Sequence, residues 1–220
     1  MRISNLADIN DWTRKEIDEQ LASMRAVTVP VNVQIQGQQR IFVLSEMEKI
    51  LKEAELIALG ECGCRKKLNK CDKPLDVCIT LDKSAEDQMA RGNSRKVGLT
   101  EALETLRRSH KSGLVHIAYI IEGKQKPDLI CSCCSCCCQS MSALIRFGMP
   151  NAVAASRYVA HDNSESCISC GKCVERCQFK ARQMQNGKKV FNVARCFGCG
   201  LCLTTCPSKS ISLLERRDAI

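Results

Sequence analysis

The chain has 220 residues, 18 of them cysteine, and 33 Lys and Arg against 24 Asp and Glu give a formal net charge of +9. No apolar run approaches the roughly 18 residues needed to cross a membrane and the N-terminus MRISNLADINDW has no apolar export core, so the expected location is the cytoplasm, where cysteines bind metal or do redox work rather than form disulfides. The charge does not point to nucleic acid: aromatic residues for stacking are few, and cysteines bound to metal as thiolates would bring the net charge well below the formal count.

A chain of this size is expected to hold an ordinary core plus a small cofactor-stabilised module. Residues 1–28 read as a helical arm, with Trp12, Ile17, Leu21 and Met24 at roughly helical spacing. The segment VPVNVQIQGQQRIFVL alternates apolar and polar residues around Gly37, the pattern of two half-buried strands. Ser45 then caps a helix from Glu46 to Leu59 that puts Met47, Ile50, Leu51, Ala54, Ile57 and Ala58 on one face and stops at Gly60. A second helix runs from Glu101 to about Lys111 with Thr100 as N-cap and Gly113 at its end, followed by LVHIAYII as a buried strand. Residues 29–130 therefore predict a small α+β domain. Residues 131–160 hold the run CSCCSCCC and a connecting helix from Gln139 to Phe147, broken at Met149-Pro150-Asn151. Residues 161–215 form a module of their own, and 216–220 a tail.

That last module carries the strongest signal. CISCGKCVERC supplies Cys167, Cys170, Cys173 and Cys177, and CFGCGLCLTTCP supplies Cys196, Cys199, Cys202 and Cys206, each recurring after 29 residues. Three cysteines at two-residue gaps can wrap three iron corners of one cube, while the fourth, on the following helix, points to the neighbouring cube. Cluster I is thus expected on Cys167, Cys170, Cys173 and Cys206, and cluster II on Cys196, Cys199, Cys202 and Cys177. Gly171, Gly198 and Gly200 suit loops in which backbone amides approach cluster sulfides. Zinc knuckles share the C-x2-C pairs but rarely use three evenly spaced cysteines plus an exchanged fourth.

On these residues the segment 161–215 resembles the bacterial-type two-cluster [4Fe–4S] ferredoxins. The resemblance implies a (βαβ)2 module too small to fold without its metal. One departure is visible: Pro207 follows the last cysteine of the second half, but Gln178 stands at the corresponding place in the first. Proline donates no ligand, so cluster binding is expected regardless.

Ten further cysteines lie upstream. Cys62, Cys64, Cys71 and Cys78 in ECGCRKKLNKCDKPLDVC suffice for one metal site, a third iron–sulfur cluster or a structural zinc, with iron–sulfur favoured by the rest of the chain. Cys131, Cys133, Cys134, Cys136, Cys137 and Cys138 crowd into eight residues, and because neighbouring side chains diverge they cannot all face one metal. On a bulged strand Cys131, Cys133, Cys136 and Cys138 could share a face, with Cys134 and Cys137 on the other. The run completes the upstream site, binds another cluster, or is a thiol site open to a substrate or partner. The order C-x-C-R, C-x2-P-x3-C, G-L-V-H and C-x-C-C-x-C-C-C ahead of a two-cluster module resembles a group of anaerobe proteins described only as 4Fe-4S binding proteins, a likeness that implies redox work without a reaction. His116 on its apolar strand reads first as a hydrogen-bonded core residue and second as a ligand; His110 and His161 have less to recommend them. Arg65, Lys66, Lys67 and Lys70, with Arg91, Arg95 and Lys96, read as a solvated face that could also steer an acidic partner.

The expected function is therefore electron transfer of anaerobic metabolism, as a carrier or an electron-transfer subunit with redox partner proteins or within a larger oxidoreductase complex, rather than as a stand-alone enzyme. A reductase whose N-terminal metal site binds substrate and a redox sensor are the alternatives.

Overall fold

The computed structural model describes residues 11–22, 24–28, 49–121 and 126–216. Six antiparallel strands build its larger sheet: β1 (Met24–Thr28), β2 (Ile57–Glu61), β3 (Asp76–Leu81), β4 (Ser94–Lys96), β5 (Val115–Ile121) and β6 (Leu129–Cys133), in the order β1-β5-β6-β3-β2-β4. Helices α1 (Arg14–Leu21), α2 (Gly63–Leu68), α3 (Asp82–Ala90), α4 (Leu99–Lys111) and α5 (Gln139–Ile145) are interleaved with the strands, so the architecture is mixed α+β.

The expected strands at 29–44 and the cap at Ser45 lie outside the described residues. The expected helix from Glu46 to Leu59 is corrected in its second half: residues 49–52 are helical, but Ile57–Glu61 is strand β2. Since β2 lies between β3 and β4 in the sheet, Ile57, Ala58 and Leu59 are all buried, and an unbroken apolar run looks alike in a buried helix and a buried strand. Gly60 is accordingly not a helix stop. A Cβ there would sit 2.6 Å from the Asn93 carbonyl oxygen, so it marks close backbone approach at the β2–β4 pairing. Helix α4 begins at Leu99 with Gly98 as N-cap, two residues ahead of the expected Thr100 cap. The buried strand expected at LVHIAYII is β5.

The arm is drawn into the domain. Thr13 and Glu16 form a reciprocal capping box at the start of α1, and Ile17 is buried against Ala143 and Ala152. Trp12 Nε1 donates to the Cys137 carbonyl at 2.8 Å, and the expected helical arm is corrected at its end: Met24–Thr28 is strand β1, paired with β5 at the edge of the sheet.

The C-terminal module runs β7 (Tyr158–Asp162), α6 (Lys172–Arg176), β8 (Arg182–Gln185), β9 (Lys188–Phe191), α7 (Leu201–Thr205) and β10 (Ile211–Glu215), with β7 paired to β10 and β8 to β9. This is the doubled β-α-β order expected from the repeat. The repeat is also written in the backbone: left-handed residues recur 29 apart, at Ser169 and Gly198, Gly171 and Gly200, Lys180 and Lys209. Tyr158, Ile211 and Leu213 of the module share one core with Ile79, Leu106 and Ile130 of the larger sheet and its helix, so the two parts are packed together.

Candidate metal centres

The cysteine loops of the C-terminal module bring distant thiols together across the repeat. Gly171 and Gly200, both with positive φ, cap α6 and α7 and turn each loop into its short helix. Cys167, Cys170, Cys173 and Cys206 line one pocket, beside Lys189, Ser208 and Ser210. Cys177, Cys196, Cys199 and Cys202 line a second, closed by Phe179, Phe197 and Leu201. Each pocket thus collects three cysteines from one half and the fourth from the other.

Local donors suit thiolates. The Ala181 amide donates to Cys177 Sγ at 3.3 Å, and 29 residues on, the Ser210 amide faces Cys206 Sγ while the Ser210 hydroxyl lies 3.2 Å from it. Partial burial raises the Cys206 thiol, but bonds from Ser210 and Ser208 bring it below the usual thiol value. In the second pocket burial pushes Cys202 up to about 12, against the pull of Arg182, and burial likewise raises Cys199. Such thiols keep their protons unless a cation replaces them, so the donor set fits a thiolate-bound metal cluster, which would supply one-electron redox states when bound. All eighteen cysteines are free thiols, with no disulfide.

In the N-terminal part the sheet register decides which cysteines meet. β6 pairs with β3 on one side and β5 on the other, which lays Cys131 and Cys133 beside the end of β3 that carries Cys78. After Cys133 the chain leaves the strand in a turn closed by a bond from the Cys138 amide to the Cys134 carbonyl at 3.0 Å, and Cys138 caps α5. The run is therefore a strand end and a turn, not a bulged strand. Three of its thiols, Cys131, Cys133 and Cys138, face a cavity of about 190 Å³ together with Cys62, Cys64 and Cys78. The other three, Cys134, Cys136 and Cys137, converge on Cys71, with all four sulfurs within 4.8 Å of one another. Cys134 and Cys137 also reach the cavity wall, between the two groups. The four cysteines read as one upstream set thus divide: Cys62, Cys64 and Cys78 stay together, and Cys71 goes to the turn.

The cavity thiols differ in how readily they ionise. Burial and the nearby Cys138 push Cys64 up to about 12, while a hydrogen bond from Cys131 holds Cys78 well below the usual thiol value. Arg65 is the residue the sequence placed wrongly. It is not on a solvated face but only 1% exposed, and its Nη2 donates to the Ser132 carbonyl at 2.8 Å. Burial works against its charge, but Cys62, Cys134, Cys133 and Cys71, as thiolates, outweigh burial and raise its pKa above the usual arginine value, and its Nε and Nη1 have no hydrogen-bond partner among the described residues. A buried guanidinium among thiols signals negative charge there, and its place directly after Cys64 in CGCR was the available clue. Lys66, Lys67 and Lys70 do lie at the surface, paired with Glu61, Glu16 and Asp11.

His116 is 1% exposed, bonded through Nδ1 to Ser132 Oγ at 3.0 Å and stacked on His110 at 6.0 Å between ring centroids. It is a hydrogen-bonded core residue. His110 in turn contacts Thr204 Oγ1 of α7 at 2.9 Å. Gln178, where the repeat has proline in its other half, spans the two parts: its Oε1 accepts from the Ser135 amide and hydroxyl, and its Nε2 donates to the Gly113 carbonyl.

Residues 166–211 match the family model of the 4Fe-4S dicluster domain. No curated protein matches the chain. With the paired pockets and the doubled β-α-β order, that match defines the C-terminal part as a ferredoxin-like iron–sulfur module, the class of domain that transfers electrons. No helix among the described residues is long and apolar enough to cross a membrane.

Proposed function

We propose that this protein transfers electrons singly through two C-terminal [4Fe–4S] clusters to a further metal centre in its N-terminal domain. Cys167, Cys170, Cys173 and Cys206 hold the first cluster and Cys196, Cys199, Cys202 and Cys177 the second, while Cys62, Cys64, Cys78, Cys131, Cys133 and Cys138 hold the N-terminal centre in their cavity. The observation that carries this reading is a shared core: Cys177 and Cys199 of the second pocket pack on the same apolar cluster as Cys131, Cys133 and Cys138, to which Phe179, Leu201 and Met141 also belong. A dry, rigid contact of this kind lets an electron move with little reorganisation. Six thiols exceed the four of a cubane, which favours a larger iron–sulfur centre, and nothing in the reading requires an acid, base or nucleophile.

The test is made on anaerobically purified full-length protein. Reduction by a small electron-carrier protein should reduce the N-terminal centre rapidly in wild type and at least tenfold more slowly in Cys199→Ser, which removes one ligand of the second cluster. Equal rates in the two proteins would overturn the reading.

A further inference from the structure

The ten upstream cysteines fall into two groups of different spacing. Four sulfurs each about 2.3 Å from one tetrahedral ion lie about 3.8 Å apart. Cys71 and Cys134 are separated by 3.8 Å, and so are Cys136 and Cys137. All four fall within 4.8 Å of one another, and among the described residues no other three His, Cys, Asp or Glu ligand atoms gather so tightly. A cube of iron and sulfide keeps its thiolates farther apart than one ion does, as the looser ring around the cavity and the two C-terminal pockets do here. From this spacing we infer that Cys71, Cys134, Cys136 and Cys137 hold a single zinc ion, distinct from the centre in the neighbouring cavity.

The surroundings support a closed structural site. Cys134 and Cys137 are 2% and 0% exposed. The backbone amides of Lys73 and Lys70 face the sulfurs of Cys71 and Cys137, the arrangement by which a loop stabilises thiolates around a cation. Asn69, left-handed at the end of α2, turns the chain so that Cys71 meets the turn after β6, a connection that joins segments more than 60 residues apart. Trp12 donates to the Cys137 carbonyl and Lys70 reaches Asp11 at 2.6 Å, so the arm packs beside the site, where Cys71 and Cys136 remain partly exposed. A separate observation points to bound negative charge: the buried Arg65, with Nε and Nη1 unpartnered, lies among Cys71, Cys134, Cys133 and Cys62. Four thiolates around one Zn²⁺ carry a net −2, which a guanidinium at its edge partly offsets. On binding, the four thiol protons pass to solvent and four Zn–S bonds form, with no electron transferred. Four protein ligands leave no open position, so the ion ties the 69–75 loop to the 134–137 turn and leaves six cysteines to the cavity.

The experiment is zinc K-edge X-ray absorption with zinc and iron counts on the anaerobically purified full chain. One zinc per chain, ringed by four sulfurs near 2.3 Å with no neighbouring metal, is the expected result. Cys136→Ser should lower zinc at least fivefold while the C-terminal cluster signals persist, and Cys62→Ser should leave zinc unchanged. Less than half an equivalent of zinc in wild type, a metal–metal scatterer, fewer than four sulfurs, or iron at these four sulfurs would each overturn the assignment. The wild-type spectrum decides even if a variant fails to fold, and it is independent of electron flow between the sites.

Discussion

The side-chain oxygen of Gln178 accepts two hydrogen bonds from Ser135, from its amide at 3.0 Å and its hydroxyl at 2.8 Å. Ser135 stands between Cys134 and Cys136, and Gln178 follows Cys177, so one side chain links the second iron–sulfur pocket to the upstream cysteine turn. Its Nε2 adds a bond to the Gly113 carbonyl at 3.0 Å. The proline that would suit the ferredoxin repeat could make none of these bonds. Gln178→Pro should therefore keep the iron content and both C-terminal cluster signals but loosen the junction, at about 0.5–1.5 kcal/mol per lost bond. Slower reduction of the N-terminal centre and faster hydrogen exchange at Ser135 would be seen together. Unchanged exchange at Ser135 would show that the clamp is not what joins the two parts.

Arg65 brings a positive charge to the thiol-lined cavity and has no acidic partner among the described residues. Replacing it by Met removes that charge from beside a centre that gains an electron on reduction. At an effective dielectric near 20, where two unit charges about 4 Å apart interact by about 4 kcal/mol, a somewhat more distant charge contributes on the order of 2 kcal/mol, or on the order of 100 mV for one electron. Arg65→Met should make the N-terminal centre that much harder to reduce, while the C-terminal clusters keep their potentials. A redox titration followed by electron paramagnetic resonance measures both in one sample, and an unchanged N-terminal potential would remove Arg65 from this role.

Gly198 tests how closely the second cysteine loop approaches β7. A Cβ there would lie 2.1 Å from the Tyr158 carbonyl oxygen and 2.3 Å from Ser156 Oγ, whereas at Gly171 the nearest side-chain atoms are 3.9 Å away. Both residues have positive φ, so both alanine variants carry conformational strain. Gly198→Ala adds a collision with backbone that cannot move without shifting β7. It should lose roughly half of the C-terminal iron, from the second pocket, while Gly171→Ala retains both signals and melts a few degrees lower. Equal iron in the two variants would mean that the loop tolerates the shift.

The 29-residue interval let the C-terminal pockets be read from sequence because their cysteines are placed by local loops and a repeated helix. The same locality explains why β5 and α5 were legible from short apolar patterns. Strand β2 was not, since Ile57, Ala58 and Leu59 are buried by neighbours on both sides and carry no period. The division of the upstream cysteines was hidden for a related reason. Cys71 joins Cys134 only because β3 pairs with β6 and the chain turns after Cys133, and neither long-range pairing leaves a mark near the cysteines themselves. Arg65 looked like one more basic residue in RKKLNK, although its neighbours Lys66 and Lys67 are at the surface and it alone turns inward.

Asp162 anchors the C-terminal module through charge. It receives Arg182 through Nη1 at 2.7 Å and Nη2 at 2.8 Å, and Lys189 at 2.7 Å, and the Arg182 side chain is 1% exposed. Burial raises the Asp162 carboxyl, but bonds from Arg182 and Lys189 outweigh it and hold it below the usual 3.8. A carboxyl depressed on folding stabilises the fold above its unfolded value, and that stabilisation fades as pH falls through the lower folded value. The ion pair should thus be fully present at neutral pH and down to about pH 5. Asp162→Asn leaves two cations facing a neutral amide, and should cost about 3 kcal/mol at pH 7. Denaturant melts of the anaerobic holoprotein should show a constant gap between wild type and variant from pH 7 to pH 5, narrowing only below pH 4. A gap that already closes between pH 7 and pH 5 would mean that another group, not Asp162, carries the pH dependence.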